Sequence, residues 1–189
     1  MNTHHEILEI TQKGINQSLS RLQEEFKSVS DTILLRKPAP KSWSAAECFV
    51  HLIKTNRHYL REMRKELNLA SRDPRPNATY KHGFIGGKLL SGVGPGKDGD
   101  QPSWKGSAPK SIKPQSSDPE INPQEVIDSL IKQYTLLLEL IEQARELNLE
   151  KVRVKSLLGN IVRLKLGDAF RLLDLHTIRH LDQAKRAIA

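Results

Sequence analysis

Four separate stretches of the chain carry apolar residues every three to four positions, which is the spacing of one face of an α-helix. This pattern predicts helices over four ranges: about 7–29, 44–69, 123–146 and 167–188. Ser44 and Glu47 form a capping-box pattern at the start of the second helix, and Asn122 followed by Pro123 marks the start of the third. Since aromatic residues make up only 5% of the chain and charged residues 28%, we expect an all-α four-helix bundle rather than a β-sandwich.

The second and third predicted helices are separated by residues 71–120, which differ in composition from the rest. They contain eight of the eleven glycines and seven of the ten prolines, and no helical or strand period persists through them. We interpret this stretch as a long crossover loop, inserted into a single domain of residues 1–189. Trp104, Lys105, Lys110 and Lys113 would allow part of the loop to dock on the bundle. Residues 147–166 are predicted to be a mixed connector, with room for one short helical turn.

The formal charge of +8 and the pI of about 9.6 favour an anionic partner, such as a nucleic acid, a membrane surface or a small acid. Cys48 is the only cysteine, so no internal disulfide can form. The N-terminal residues lack the pattern of a signal peptide, and no apolar run approaches the ~20 residues that cross a bilayer. The simplest interpretation is a cytoplasmic protein without a membrane segment.

His176 and His180 stand four residues apart on the apolar face of the last predicted helix, which brings their Cβ atoms to about 6 Å. His51 lies at the edge of the apolar stripe of the second helix. Two interpretations fit these three residues: each imidazole has a hydrogen-bond partner of its own, or all three bind one metal ion. Two neutral imidazoles on a buried face would need two separate partners, whereas a metal satisfies both at once.

The other histidines are weaker candidates for a metal site. His58 follows His51 by one helical period and is a reserve candidate, although a partly exposed position suits it better. His4 and His5 lie in an N-terminus that we expect to fray, and His82 lies in the insertion.

Two short motifs resemble those of a known family. Residues 41–52, KSWSAAECFVHL, are similar to the second-helix signature W-S-x-x-E-x-x-x-H-L of the DinB/YfiT-like superfamily. Residues 176–183, HTIRHLDQ, are similar to the H-x-x-x-H-x-x-Q that closes the same family's sequences. The motifs occur in the family's order, with a variable loop between the second and third helices.

The resemblance implies a DinB-like four-helix bundle that holds a divalent metal on His51, His176 and His180 and forms a homodimer. Family members with assigned activities are mainly thiol-dependent transferases and isomerases, and others are described as metal-dependent hydrolases. We therefore expect a metal-dependent transferase or hydrolase, acting on a small molecule that is anionic or a low-molecular-weight thiol. Nickel, zinc, iron or manganese would suit imidazole ligands. The 50-residue insertion departs from the compact family pattern.

Carboxylates could orient the imidazoles, and three are close in sequence. Glu47 precedes His51 by one turn but has a capping role, while Asp174 and Asp182 flank the histidine pair and are predicted to lean away from it. Cys48 also shares a face with His51. It could be a nucleophile, a fourth ligand or a core thiol, and its small size favours the core.

A second class of function remains open, namely a non-catalytic bundle that binds an anionic partner through a basic surface. The second helix carries five basic residues on its outer part: Lys54, Arg57, Arg61, Arg64 and Lys65. Such runs are usually solvated faces, but a continuous stripe would permit nucleic-acid binding. Few aromatic residues lie among them, which argues against stacking on single strands.

Overall fold

The computed structural model describes residues 2–94, 109–115, 121–159 and 161–189. Its helices are α1 (His4–Arg21), continued by a π-helical turn (Leu22–Phe26), α2 (Asp31–Leu35), α3 (Ala45–Leu69), α4 (Phe84–Val93), a 3₁₀ turn (Lys110–Ile112), α5 (Pro123–Ala144) and α6 (Leu166–Ile188). Two short strands, β1 (Arg153–Lys155) and β2 (Arg163–Lys165), complete the fold. The predicted all-α class is confirmed. None of the helices in the described ranges is long and apolar enough to span a bilayer.

Four long helices form the bundle. α3 packs against α5 and α6, and α1 packs against the same two helices, so each long helix has two long neighbours around one core. The largest buried side chains include Phe26, Phe49, Tyr134 and Phe170. Phe26 and Phe49 meet edge to face, with ring centroids 5.1 Å apart. In this bundle α3 lies beside α6, and these two helices carry the candidate metal ligands.

The N-terminus is held in place, so the prediction that it frays is wrong. Thr3 caps α1 by accepting a hydrogen bond from the Glu6 amide, while the Glu6 carboxylate accepts from the Thr3 amide at 2.7 Å. Thr3 also pairs with Thr79 as an isolated β-bridge. His4 is consequently buried, and its Nε2 lies 3.6 Å from a Glu150 carboxylate oxygen.

The predicted starts of α3 and α5 are confirmed. The Ser44 hydroxyl accepts from the Glu47 amide at 3.1 Å, and the Glu47 carboxylate accepts from the Ser44 amide at 2.8 Å. Asn122 caps α5 through its side chain, and Pro123 occupies the first turn, where the missing N–H costs nothing.

The insertion is only partly a loop. Residues 84–93 form α4, which packs against α6. The buried Asp168 carboxylate at the start of α6 accepts hydrogen bonds from His82 Nδ1 at 2.6 Å and from the Gly83 amide at 2.8 Å. These bonds hold the start of α4. Of the residues predicted to dock, Trp104 and Lys105 lie outside the described residues.

The mixed connector predicted after α5 contains a hairpin where a helical turn was expected. β1 and β2 pair antiparallel, with Val154 opposite Leu164. Both of these side chains are buried while their neighbours are more exposed, which is the two-residue alternation of a half-buried strand. The hairpin leads directly into α6.

Candidate metal centre

The structure brings together the three predicted metal ligands. His51 lies in the second turn of α3, and His176 and His180 lie on adjacent turns of α6. One ring nitrogen from each lies within 4.8 Å of the other two. The Nε2 atoms of His51 and His176 are 3.1 Å apart, close to the ~3.3 Å that separates two ligands on a tetrahedral metal with bonds of about 2.0–2.1 Å. The three residues could therefore bind a metal ion.

Two of the imidazoles are oriented by hydrogen bonds from the nitrogen that faces away from the centre. His51 Nδ1 donates to the main-chain carbonyl of Ile112 at 2.8 Å, and His180 Nδ1 donates to Gln183 Oε1 at 2.9 Å. Because each Nδ1 carries the proton, each Nε2 presents a lone pair to the centre. His176 Nδ1 is buried and has no partner among the described residues.

All three imidazoles are in an environment that keeps them neutral. Burial is the largest cause, and it lowers the pKa of His51, of His176 and of His180, the last to about 3. The positive charge of Arg179 acts in the same direction on each of them. Neutral imidazole is the form that binds a metal.

A family model of the DinB superfamily matches residues 15–184. The chain belongs to the DinB superfamily. This confirms the resemblance drawn from the two motifs, both of which lie inside the matched range. Comparisons with curated proteins and with solved structures gave no match. Family membership and the geometry of the triad are both compatible with a metal-dependent enzyme, while metal binding by these three residues stays a prediction.

The carboxylates near the triad in sequence do not orient its imidazoles. Glu47 is engaged in its capping box, Asp182 forms an ion pair with Arg21 at 2.8 Å, and the buried Asp174 pairs with Arg171. A main-chain carbonyl and a side-chain amide take the orienting role instead. Gln183 is the glutamine that closes the H-x-x-x-H-x-x-Q motif, so the sequence contained a signal for this residue. The carbonyl of Ile112 has no such signal, because every residue type has a main-chain carbonyl.

A cavity of about 510 Å³ opens beside the triad in this DinB-superfamily chain. Its lining in the described chain consists of Lys41, Ser42, Trp43, His51, Tyr59, Leu89, Val93, Pro109, Ile112, Lys113, Leu157, Leu158, Leu172, His176, Arg179, His180 and Gln183. The insertion forms one wall through α4 and residues 109–113. Lys54 Nζ donates to the Lys113 carbonyl at 3.0 Å, which ties this wall to α3.

Trp43 also belongs to the site, although in the sequence it appears only as the tryptophan of the second-helix signature. Its ring centroid lies 4.9 Å from that of His51 and 5.9 Å from that of His180, stacked on the latter. The indole therefore packs against two of the three imidazoles. A tryptophan directly before a helix cap and eight residues before a histidine is the signal that could have indicated this contact.

The remaining candidates lie elsewhere. His58 Nε2 donates to the Lys155 carbonyl at 3.0 Å, beside the hairpin, and His82 is bound to Asp168. Cys48 is fully buried in the core, where burial raises the pKa of its thiol to about 12. Cys48 does not belong to the cluster of potential ligands in the described chain, so the core-thiol interpretation fits and the fourth-ligand interpretation does not.

Proposed function

We propose that this chain is a divalent-metal-dependent enzyme of the thiol-dependent transferase or hydrolase kind, with His51, His176 and His180 as its metal ligands. One observation carries the proposal: three neutral imidazoles converge beside a cavity whose described lining contains no carboxylate. Neutral ligands leave a divalent cation its full charge. Three protein ligands also leave a coordination position for substrate, which distinguishes a catalytic site from a closed structural one.

A divalent cation bound there would supply Lewis acidity, which polarises a carbonyl and eases the loss of a proton from water or a thiol. The protein's own groups supply the rest. The Ile112 carbonyl and Gln183 fix the directions of two imidazoles. Leu89 and Val93 from α4, together with Leu157 from the hairpin segment, give the cavity apolar walls that limit access of bulk water.

The proposed substrate is a small molecule, since the cavity lies within the ~300–1,000 Å³ typical of sites for such ligands. Nickel, zinc, iron and manganese all accept imidazole nitrogen, so the donor set leaves the choice among them open. A thiol cosubstrate or water would provide the nucleophile, and these two correspond to the transferase and the hydrolase.

The alternative, a non-catalytic bundle that binds an anionic partner, has one observation in its favour. Arg57, Arg64 and Lys65 are exposed on one face of α3 and form no ion pairs in the described chain. A nucleic acid would need such a surface. The alternative requires no metal, so a measurement of bound metal per chain distinguishes the two proposed functions.

The test is elemental analysis by plasma mass spectrometry on untagged protein purified without chelators. We expect close to one divalent metal per chain in the wild type and none in the variants His51→Ala and His180→Ala. His58→Ala is the matched control, because this histidine is hydrogen-bonded to the Lys155 carbonyl away from the triad; it should keep the metal.

Activity is then assayed on the metal-loaded wild type, by thiol consumption with an electrophile and by ester hydrolysis. Activity that disappears in His180→Ala but persists in His58→Ala supports the enzyme. Wild-type protein that holds no metal, even after incubation with nickel, zinc, iron and manganese in turn, contradicts the proposal and favours the anion-binding alternative.

A further inference from the structure

Arg179 is the one residue of the cavity lining that lies between two metal-ligand candidates in sequence, and its guanidinium has no carboxylate partner among the described residues. Several other charged residues of α6 do have partners. Arg171 pairs with Asp174, Asp182 pairs with Arg21, and Lys185 lies 3.2 Å from a Glu25 carboxylate oxygen. Arg179 is thus a half-buried cation that the fold itself does not neutralise.

Such a position is unfavourable without an anionic partner. A guanidinium loses part of its hydration on burial and regains it only through hydrogen bonds or an opposite charge. Arg179 also lies close enough for its charge to act on His51, His176 and His180. Its positive charge therefore opposes the binding of a metal cation by these imidazoles. An anion in the cavity would relieve both effects.

The remainder of the lining specifies what kind of anion fits. Lys41 and Lys113 are the other charged residues of the described lining, and no acidic residue is present. Five aliphatic side chains from α4, the segment after β1 and α6 also line the cavity: Leu89, Val93, Leu157, Leu158 and Leu172. A ligand with one negatively charged end and an apolar body matches this surface, whereas a polyanion such as a nucleic acid does not fit a cavity with apolar walls.

We infer that Arg179 binds the carboxylate of an acid substrate whose apolar body lies against the walls of the cavity. This inference rests on the proposed function and names its substrate class. The planar guanidinium suits a carboxylate because two parallel N–H groups can meet its two oxygens. The carboxylate is held beside the histidine triad, and the apolar walls favour acids whose remaining part is apolar.

The experiment compares an acid with its neutral amide on full-length, zinc-loaded protein. The probes are 4-phenylbutyrate and 4-phenylbutanamide, and their dissociation constants are measured by isothermal titration calorimetry. The variants are Arg179→Gln, Arg179→Lys and the control Arg186→Gln, which removes the same charge from an exposed position on the same helix. Circular dichroism melts and zinc content are recorded for each.

We expect the wild type and Arg186→Gln to prefer the acid. Arg179→Gln should weaken binding of the acid roughly tenfold to a hundredfold, the size of a lost charge-assisted pair, and leave binding of the amide unchanged. Arg179→Lys should lie between the two, because it keeps the charge and loses the two parallel donors. Melting curves and zinc content that match the wild type show that the effect does not come from misfolding.

Three results would overturn the inference: no binding of the acid to the wild type at millimolar concentration, equal affinity for acid and amide, or an unchanged acid preference in Arg179→Gln. The titrations are repeated on metal-free protein. Acid binding that disappears with the zinc but persists in Arg179→Gln would assign the carboxylate to the metal instead. Failure of the proposed function shows separately, as wild-type protein that takes up none of nickel, zinc, iron and manganese, while the Arg179 comparison on metal-free protein still stands.

Discussion

Acid should destabilise the metal-free protein because of its buried imidazoles, and His180 allows the effect to be calculated. Its pKa is about 3 in the folded protein, against an ordinary value of about 6.5 in the unfolded chain. Between these two values the unfolded state binds a proton that the native state does not. The free energy of unfolding therefore falls as the pH drops below about 6.5, and recovers as it rises.

One pKa unit corresponds to about 1.36 kcal/mol. Because the unfolded imidazole is already half protonated at pH 6.5, the loss from pH 6.5 to pH 4.5 through His180 alone should be about 2.3 kcal/mol. Burial also lowers the pKa of His176 well below its ordinary value, so His176 should add to this loss. The loss through His180 is already a substantial part of the ~5–15 kcal/mol that stabilises a typical domain. We expect the urea midpoint of the metal-free protein to be lower at pH 4.5 than at pH 6.5.

The assay is urea unfolding of metal-free protein, followed by circular dichroism at pH values from 4.5 to 7.5. His180→Gln removes the titrating group and keeps a polar side chain. Its loss of stability between pH 6.5 and 4.5 should be smaller than that of the wild type by about 2.3 kcal/mol. Adding His176→Gln should reduce the loss further, because the pKa of His176 is also lowered by burial. Identical slopes in wild type and both variants would refute the reasoning, since the acid sensitivity would then arise elsewhere.

Three further predictions concern other parts of the structure. Gln183→Leu removes the acceptor that orients His180, one of the proposed metal ligands, and a chelator competition assay should show metal affinity reduced about tenfold to a hundredfold. Gly86→Ala would place a Cβ against the buried Asp168 carboxylate and should lower stability in urea by about 1–3 kcal/mol. Gly87→Ala, whose Cβ would meet only a carbon 3.8 Å away, should be neutral or stabilising by up to about 1 kcal/mol; equal losses would contradict the close approach of α4 to α6. Cys48, with its thiol pKa raised to about 12 by burial, should not react with Ellman's reagent at pH 8 until the protein is denatured, and rapid reaction of native protein would place it outside the core.

The sequence predicted the long helices and the histidine pair of α6 because both depend on local spacing. A capping box at Ser44 and an i,i+4 pair at His176 and His180 are read within one or two helical turns. The position of His51 beside that pair needed the family motif, because the order of helices around the core is not a local property. The structure then supplied the packing of α3 on α6 that brings them together.

The features that the sequence did not predict depend on contacts distant in the chain. α4 contains three glycines among its ten residues, so its propensity is low, and its packing on α6 together with the bonds from Asp168 holds it in place. The hairpin has strands of only three residues, too short for a clear two-residue pattern. The anchoring of His4 depends on Glu150, which lies far along the chain.

The hydrogen bond from His51 to the Ile112 carbonyl has an evolutionary consequence. A main-chain oxygen is the same in every residue type, so substitutions within 109–115 can change the cavity wall while the tautomer of His51 is retained. What must be preserved is the path of the backbone, which restricts proline, insertions and deletions near this point. Selection could therefore alter which molecules enter without altering the residues that would hold the metal, and the segment is a suitable place for a mutational library aimed at new substrates.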